Sequence, residues 1–303
     1  MMRIPAGELD AILITGPTAS GKSALAVRLA QARNGVVVNA DSMQVYDTLS
    51  VLTARPQAGE TGGIEHRLYG HVPAGEAYST GAWLRQATEV IAELRDRGKL
   101  PVLVGGTGLY FKALTGGLSD MPSIPADLRD ALRQRLAAEG PASLHAELMR
   151  RDPLSAGAIL PSDGQRILRA LEVHAVSGRS IREFQAASGP AVVDPARALK
   201  LVVLPERSIL HQRIDQRFAR MMTTGAVEEV RALLALGLPP ELPVMKAIGV
   251  PQIAEFLAGR MSEAEVIARA AAATRQYAKR QMTWFRNQMD ESWIRTDGSD
   301  VGT

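Results

Sequence analysis

The stretch "GPTASGKS", residues 16–23, matches the phosphate-loop pattern G-x-x-x-x-G-K-[ST] at every required position. The backbone N–H groups of such a loop point at phosphate oxygens, and the helix N-terminus that follows adds partial positive charge. Lys22 reaches the outer phosphate, and the Ser23 hydroxyl is placed to hold Mg²⁺. The pattern predicts a site for a nucleoside triphosphate or for another compound that ends in a diphosphate. The residues expected to bind it are Gly16, Pro17, Thr18, Ala19, Ser20, Gly21, Lys22 and Ser23.

The segments on either side of the loop give it the structural context that the motif requires. "AILIT" (11–15) is a short apolar run typical of a buried strand, and "SALAVRLAQAR" (23–33) repeats its apolar residues at helical spacing. A phosphate loop lies between a strand and a helix, whereas an ordinary glycine-rich turn needs neither. The context therefore favours the phosphate loop over the turn.

Three more apolar runs predict further strands of the same sheet. They are "GVVVNA" (35–40), "LPVLVGGTGLY" (100–110) and "LKLVVLP" (199–205), with an amphipathic helix over 81–97. Short apolar strands that alternate with helices indicate a parallel sheet covered on both faces. Ligands of such sheets bind at the carboxyl ends of the strands. Asp41, Thr107 and the phosphate loop are expected to gather there.

The long interval between the third and fourth runs predicts a separate helical insertion. It begins near "TGGLSDMPSIP", ends near "ASGPAVVDPARA", and carries helical patterns such as "SDGQRILRALEVHAVSG". The predicted fold is thus α/β, with a phosphate-loop-type parallel sheet flanked by helices in residues 1–118 and 199–303. Residues 119–198 form the helical insertion domain, and residues 206–286 are expected to be helical.

Composition excludes several kinds of protein. The 303 residues contain no Cys, which rules out disulfides, Cys-ligated zinc and a Cys nucleophile. No apolar run approaches the length of a membrane span, and the N-terminus does not resemble a secretory signal, so we expect a cytoplasmic protein without membrane contact. The net charge of +3 is unevenly spread: +5 lies in residues 199–286, zero in 119–198 and −3 in the tail. A basic stretch of this kind attracts a polyanion or forms a solvated helix face.

The carboxylates of a typical nucleotide-hydrolysing enzyme are missing. The third and fourth strands end in "VLVGGTG" and "VVLPERS", without an acid, and Asp41 is the only acid that closes a strand. This weakens the prediction of an ATP-using enzyme, although a small-molecule or nucleotide kinase remains the alternative. Metalloprotease and serine-hydrolase motifs are also absent.

Several stretches together resemble one family, the tRNA dimethylallyltransferases (isopentenyl-diphosphate:tRNA transferases), in its bacterial form. They are "GPTASGKS", "NADSMQVY", "LTARP", "LPVLVGGTGLYFKAL", "SDGQRILRALEV", "QRFARMMTTGAVEEVRALL" and "TRQYAKRQMTWFR", which cover nearly the whole chain in order. The chain has "EHRLYGH" where the family often has adjacent histidines, and "AIGVPQ" where it often has Gly-Tyr. His66, His71 and Val250 are therefore left without an assigned role.

The resemblance implies a prenyl transfer. The loop would hold the diphosphate of dimethylallyl diphosphate, and the dimethylallyl group would pass to N6 of adenosine 37, next to the tRNA anticodon. It implies that Lys22 and Arg217 stabilise the diphosphate, with Mg²⁺ on Ser23, and that Asp41 is the base. Thr107 would contact the tRNA near the reacting base. The alternatives are a surface ion pair for Arg217 and turn caps for Asp41 and Thr107.

The resemblance also implies where tRNA binds, and the partners expected are tRNA, through its anticodon stem-loop, and dimethylallyl diphosphate, with the protein a monomer. The segments concerned are Asp41, Ser42, Met43 and Gln44, then Thr107, Arg129, and Gln165, Arg166, Ile167, Leu168 and Arg169. Arg166 and Arg169 fit a solvated helix face equally well. A helical wheel of "TRQYAKRQMTWFR" places Arg275, Lys279 and Arg286 on one side, with Tyr277 and Trp284 opposite. We expect a phosphate-contacting helix whose aromatic face is buried.

Overall fold

A parallel sheet runs through the larger part of the chain. The computed structural model describes residues 9–187, 189–299 and 301. Within them six strands form one sheet in the order β3-β2-β4-β1-β5-β6, and every neighbouring pair is parallel. The strands are β1 (Ala11–Thr15), β2 (Gly35–Asn39), β3 (His66–Arg67), β4 (Leu100–Gly105), β5 (Ala198–Val203) and β6 (Ile294–Thr296). The sequence predicts β1, β2, β4 and β5, and it misses the two short edge strands.

The sheet is buried on both faces, which explains why its strands are almost continuously apolar. Every residue of β1 and β2 is buried. Along β1, Ile12 and Ile14 face one apolar cluster, whereas Leu13 faces the other. Because successive strand residues point to opposite faces, a strand covered on both sides needs apolar residues at every position.

Three helices cover the sheet near the phosphate loop: α1 (Lys22–Ala32), α2 (Thr80–Asp96) and α3 (Gly108–Gly116). The α2 helix begins at Ser79, whose hydroxyl accepts a hydrogen bond of 3.1 Å from the Ala82 N–H. Trp83 of α2 stacks on Tyr110 of α3, with ring centroids 4.0 Å apart. The Trp83 indole also donates a 2.9 Å bond to the Asn39 carbonyl. These buried aromatics fix the end of β2 just before Asp41.

Residues 116–191 form a compact helical unit of their own, and the rest of the described chain forms the other. The insertion contains α4 (Ala126–Arg151), α5 (Pro153–Ala156), α6 (Gly164–Ser177) and α7 (Ile181–Ala186). The α4 helix is interrupted where Gly140, with φ of 78°, precedes Pro141. We expected the insertion to end at residue 198. Residues 192–197 lie with the sheet instead, because Val193 is buried in its core and bonds to the Leu114 carbonyl.

The C-terminal part of the chain is largely helical, as the sequence predicts. Four helices follow β5: α8 (Arg207–Thr223), α9 (Ala226–Ala235), α10 (Val250–Leu257) and α11 (Glu263–Gln288). A short 3-10 turn, Pro243–Lys246, occupies the Pro-rich loop before α10. No helix in the described part of the chain is both long and apolar enough to cross a membrane.

Candidate active site at the carboxyl edge of the sheet

The phosphate loop joins β1 to α1 with a tightly folded backbone. Gly21 is the N-cap of α1 and has φ of 92°, in the left-handed region that favours glycine. Gly16 lies so close to β5 that a Cβ there would come within 2.5 Å of the Val203 carbonyl oxygen. The sequence needs glycine at both ends of the loop for these two different reasons. The first N–H groups of α1 are left at the mouth of the loop, as an anion site requires.

Lys22 opens α1 and folds back over the loop. Its ammonium group donates a 3.3 Å hydrogen bond to the Pro17 carbonyl. Burial lowers the pKa of Lys22 to about 8, although the nearby Asp41 carboxylate raises it, and Arg217 lowers it further. In the free protein, Lys22 therefore loses its proton more readily than an ordinary lysine does. A bound anion would stabilise it.

Arg217 reaches the loop from α8. Its guanidinium donates a hydrogen bond to the Thr18 hydroxyl. Burial lowers the pKa of Arg217, and the charge of Asp41 opposes that effect. Arg217 therefore lies in the site beside the phosphate loop, and the structure does not place it in a surface ion pair. Arg213, one turn earlier in α8, donates a long 3.4 Å bond to the Ser20 carbonyl, and no motif in the sequence predicts this contact.

Asp41 follows β2 and is held by a local turn. Its N–H donates to the Asn39 side-chain oxygen at 2.9 Å. Its Oδ1 accepts the N–H of Met43, also at 2.9 Å. Its Oδ2 lies on the side of Gly106, 3.3 Å from where a Cβ of that residue would stand. The turn occupies one carboxylate oxygen and orients the other towards the end of β4.

The charge of Asp41 acts on groups from several elements, which identifies it as the centre of the site. Burial raises the pKa of Tyr69, Tyr110 and Tyr277, and the Asp41 carboxylate raises each pKa further. These tyrosines come from the segment after β3, from α3 and from α11. The charge of Asp41 thus acts on two cations and three phenols that come from different elements of the fold.

Thr107 connects the ends of β4 and β2. Its hydroxyl oxygen accepts the N–H of Ser42 at 2.9 Å and donates to the Ser42 hydroxyl at 3.2 Å. Gly105 allows this approach, because a Cβ there would lie 2.0 Å from the Ala40 carbonyl oxygen. The backbone carbonyl of Thr107 also accepts the Tyr110 N–H at the start of α3, so this residue closes a turn while its hydroxyl faces the segment after Asp41.

Gln44 is constrained by the segment that follows it. Its amide nitrogen donates to the carbonyls of Thr53 and Ala54, at 3.0 and 2.9 Å. The carbonyl oxygen of its side chain remains for a ligand. The turn at Ser50–Leu52 is in turn held by Glu229 of α9, whose carboxylate accepts three backbone N–H groups at 2.7 to 3.0 Å.

Gln281 of α11 reaches into this site, and no pattern in the sequence predicts that position. Its Oε1 accepts the N–H of Thr18 at 3.0 Å, and its Nε2 donates to the Gly106 carbonyl at 2.9 Å. A single side chain thus bonds both the phosphate loop and the turn before Thr107. The motif segment that contains it suggested only a basic helix face.

The candidate site offers few protein side chains that could bind a metal ion. Within the described residues, no group of three or more His, Cys, Asp or Glu could hold a metal. Ser23 lies exposed at the second position of α1, next to the loop. Mg²⁺ is typically bound through one or two protein ligands together with substrate phosphates and waters. The residues present fit that kind of site and do not fit an all-protein metal centre.

Comparison with known proteins identifies the family. A model described as IPP transferase matches residues 44–288, and a model described as isopentenyl transferase matches residues 9–72. The chain is 67% identical over 301 residues to the tRNA dimethylallyltransferase of Rhizobium meliloti (strain 1021), with 99% of each chain covered. The chain belongs to the IPP transferase family. It is also 68% identical over 295 residues to the enzyme of that name from Agrobacterium fabrum, with 97% of this chain and 99% of that one covered.

Solved structures agree with this membership. The structure of a full-length tRNA isopentenylpyrophosphate transferase from Bacillus halodurans is 34% identical, with a TM-score of 0.67, covering 98% of this chain and 92% of that one. A eukaryotic dimethylallyltransferase described as acting on tRNA is 28% identical, with a TM-score of 0.80, covering 96% of this chain and 75% of that one. The α/β fold predicted from the sequence is the fold of IPP transferases.

In this IPP transferase, the basic face of α11 differs from its expected form. Lys279 and Arg286 are exposed, but Arg275 pairs with Asp215 of α8. The aromatic face is half-buried, and Trp284 packs against the core as expected. The buried stripe of α11 consists mainly of small and polar side chains, which let the helix approach the core closely, and it comprises Val266, Ala270, Ala271, Thr274, Ala278, Gln281 and Phe285.

Tyr277 and Trp284 lie at the margin of that stripe and are half-buried. Trp284 covers Gly108, where a Cβ would come within 2.2 Å of the indole ring. The guanidinium of Arg280 lies 5.7 Å from the centre of the Tyr277 ring. Both aromatics therefore border the candidate site, whereas the wheel indicated only that they lie on the face opposite the basic residues.

In the insertion, the residues expected to contact tRNA divide into three groups. Ile167 and Leu168 are buried in the core of the insertion, so their side chains cannot face a ligand. Gln165 and Arg166 are exposed near the start of α6. The two remaining arginines, Arg129 and Arg169, both lie near the buried Glu172, at 3.8 and 3.3 Å.

The residues without an assigned role have local structural partners. The His66 side chain bonds the Ile64 carbonyl at 2.8 Å, and His71 contacts the Gln86 side chain at 2.8 Å. Val250 is buried at the first position of α10. Of the scattered histidines, His145 bonds the carbonyls of Ala156 and Ile159 at 3.1 and 2.9 Å, which is a structural role.

Proposed function

We propose that this protein transfers the dimethylallyl group of dimethylallyl diphosphate to N6 of adenosine 37 in tRNA, with release of diphosphate. The observation that carries the proposal is the position of Asp41, whose charge acts on both Lys22 and Arg217 of the phosphate site. A base next to a diphosphate cradle suits the attack of an amine on a carbon that bears a diphosphate. The tRNA dimethylallyltransferases of related bacteria support this choice of substrates.

The leaving group requires stabilisation because negative charge builds on the diphosphate as the carbon–oxygen bond breaks. The N–H groups at the start of α1, the Lys22 ammonium and the Arg217 guanidinium supply it. The fork of an arginine suits two diphosphate oxygens at once. The hydrogen bond from Arg217 to Thr18 holds that fork against the loop before the substrate arrives.

The nucleophile requires a base, because an exocyclic amine attacks poorly while it keeps its proton. Asp41 takes the N6 proton as the nitrogen–carbon bond forms. Its Oδ1 already accepts the Met43 N–H, so Oδ2 is the oxygen assigned to the substrate proton. Thr107 supports this orientation through its bonds to Ser42.

We propose Mg²⁺ as the cofactor, held by the Ser23 hydroxyl and by oxygens of the bound diphosphate. Bound there, the ion would neutralise charge on the leaving group. The exposed position of Ser23 at the start of α1 supports this assignment.

The adenine must leave the stack of the anticodon loop to reach Asp41, as other enzymes that modify bases require. Exposed basic residues in both units are proposed to contact the RNA backbone: Lys279 and Arg286 of α11, and Arg166 of α6. Gln165 is proposed as a further exposed contact. Arg129, Arg169 and Arg275 are proposed as contacts once their ion pairs with Glu172 and Asp215 open. We propose that the protein acts as a monomer in the cytoplasm, where its tRNA substrate is found.

The kinase alternative is not favoured, and a substrate comparison tests both functions. Purified protein is incubated with Mg²⁺, tRNA and either labelled dimethylallyl diphosphate or ATP. We expect dimethylallyl diphosphate to be consumed only when tRNA is present, and ATP to remain intact. ATP consumption that Lys22→Ala abolishes, without prenylation, would replace this proposal with the kinase alternative.

A further inference from the structure

We infer that Gln281 is a positioning residue, which sets the distance between the phosphate loop and the turn that carries Thr107. The inference rests on the proposed function, because these two segments would hold the two substrates. The Gln281 amide bonds the Thr18 N–H through Oε1 and the Gly106 carbonyl through Nε2, at 3.0 and 2.9 Å. Gln281 therefore links the two segments, with one hydrogen bond to the phosphate loop and one to the turn before Thr107.

The environment of Gln281 makes this bridge rigid. The residue is 6% exposed and belongs to the buried stripe of α11, between Ala278 and Phe285. A buried amide is costly unless both of its ends are bonded. Gly106 leaves no space for movement, since a Cβ at that position would lie 2.3 Å from the Gln281 nitrogen. Most other members of this stripe are apolar, so the amide at position 281 is explained by its two hydrogen bonds.

The two bonded segments carry different parts of the chemistry. Thr18 belongs to the loop proposed to hold the diphosphate, and Arg217 fixes its side chain from α8. Gly106 directly precedes Thr107. A Cβ added at Gly106 would lie 3.3 Å from Asp41 Oδ2. Movement of the Gly106 turn would displace both Asp41, the proposed base, and Thr107, which is proposed to contact the tRNA. Because misplacement of about 1 Å between reacting groups can cost about 10²-fold in rate, such a bridge affects turnover strongly.

The alternative is that Gln281 contributes to packing alone, and two variants separate these roles. Gln281→Met keeps the length of the side chain and loses both bonds. Gln281→Glu keeps an acceptor for the Thr18 N–H, but its ionised form places an oxygen against the Gly106 carbonyl. When protonated, its O–H can donate to that carbonyl and restore the bridge. The matched control is Gln276→Met, at an exposed position of the same helix.

The experiment measures kcat and KM for prenylation of tRNA with both substrates varied, together with the melting temperature. For Gln281→Met we expect kcat to fall by roughly 10- to 100-fold, with a smaller change in KM for dimethylallyl diphosphate. For Gln281→Glu we expect the ratio of its kcat to that of the wild type to rise at least about threefold from pH 8 to pH 6, because burial raises the pKa of a carboxyl. For Gln281→Met that ratio stays constant, and Gln276→Met behaves as the wild type.

A folded Gln281→Met protein with kcat within twofold of the wild type would overturn the inference. A loss restricted to KM would also overturn it, since Gln281 would then support the phosphate loop alone. If Gln281→Met fails to fold, the pH dependence of Gln281→Glu decides, and a constant ratio for that variant counts against the bridge. Failure of the wild type to prenylate tRNA would instead count against the proposed function.

Discussion

The hydroxyl of Thr107 accepts the backbone N–H of Ser42 at 2.9 Å and donates to the Ser42 hydroxyl at 3.2 Å. This pair joins the ends of two neighbouring strands, and Ser42 is the residue next to Asp41. The position of the proposed base thus depends on a side chain 66 positions further along the chain, at the end of β4.

The first prediction concerns a variant that lacks these hydrogen bonds to Ser42. Thr107→Val preserves the shape of the side chain, leaves the Ser42 N–H without its acceptor, and should lower the free energy of unfolding by about 1–2 kcal/mol. We expect kcat to fall by roughly tenfold, because Asp41 is then less well oriented. Thermal denaturation and steady-state kinetics measure the two effects. Thr283→Val, which removes an exposed hydroxyl of α11, is the control. Wild-type kcat in Thr107→Val would exclude an orienting role.

The second prediction concerns the base. Asp41→Asn keeps the size of the side chain and loses the carboxylate, so kcat should fall by roughly 10²-fold or more. The affinity for dimethylallyl diphosphate should change little, since the loop and both cations remain. Single-turnover rates and ligand titration measure the two quantities, with Asp47→Asn, an exposed acid six positions along, as the control. Full activity in Asp41→Asn would eliminate it as the base.

The third prediction follows from the pKa of Lys22, which burial lowers to about 8. A bound diphosphate favours charged Lys22, so binding above pH 8 must take up a proton, and the affinity should fall by up to tenfold for each pH unit. Below about pH 7.5 the affinity should be nearly constant.

The measurement is calorimetric titration of dimethylallyl diphosphate between pH 7 and 9.5. Lys22→Met should bind more weakly at every pH and should show no dependence on pH in this range. An affinity of the wild type that is constant up to pH 9.5 would mean that Lys22 does not titrate there.

Much of the catalytic core was predictable because its signals are local. The phosphate loop, its strand and its helix occupy consecutive residues, and β1 has the predicted bounds, Ala11–Thr15. The strands β3 and β6 contain two and three residues, which is too short for a pattern of hydrophobicity to register. Their positions depend on pairing with β2 and β5 and not on their own residues.

The contributions of α8 and α11 to the site could not be predicted from local sequence signals. The sequence predicts helices in both regions, but a helical wheel gives only relative directions within one helix. It could not show that Gln281 faces Thr18, which is 263 positions away, or that Arg275 pairs with Asp215. Such contacts depend on the packing of whole elements. Only the resemblance of motifs indicated Arg217 in advance.

The fourth prediction uses that ion pair to rank the basic residues of α11. Replacement of both Lys279 and Arg286 by Ala should reduce the slope of log affinity for tRNA against log salt by about 1.4–1.8, since each phosphate contact contributes about 0.7–0.9. Arg275→Ala should reduce it less, because Arg275 is already paired with Asp215. Asp215→Ala should strengthen tRNA binding by releasing that arginine.

Filter binding at several salt concentrations measures these slopes, and the affinity for dimethylallyl diphosphate serves as the control that should not change. A larger loss for Arg275→Ala than for the double variant would show that Arg275 leaves Asp215 to bind the RNA. If every variant has the same salt slope as the wild type, α11 does not contact the RNA.

We expect one site to join dimethylallyl to an adenine next to the anticodon, with Asp41 as the base. Mass spectrometry of tRNA fragments, after incubation with the protein, Mg²⁺ and dimethylallyl diphosphate, detects this product. We predict one added dimethylallyl group on adenosine 37 with the wild type, and a level at least about 10²-fold lower in the same time with Asp41→Asn. Unmodified tRNA with the wild type, or modification at another position, would contradict the account.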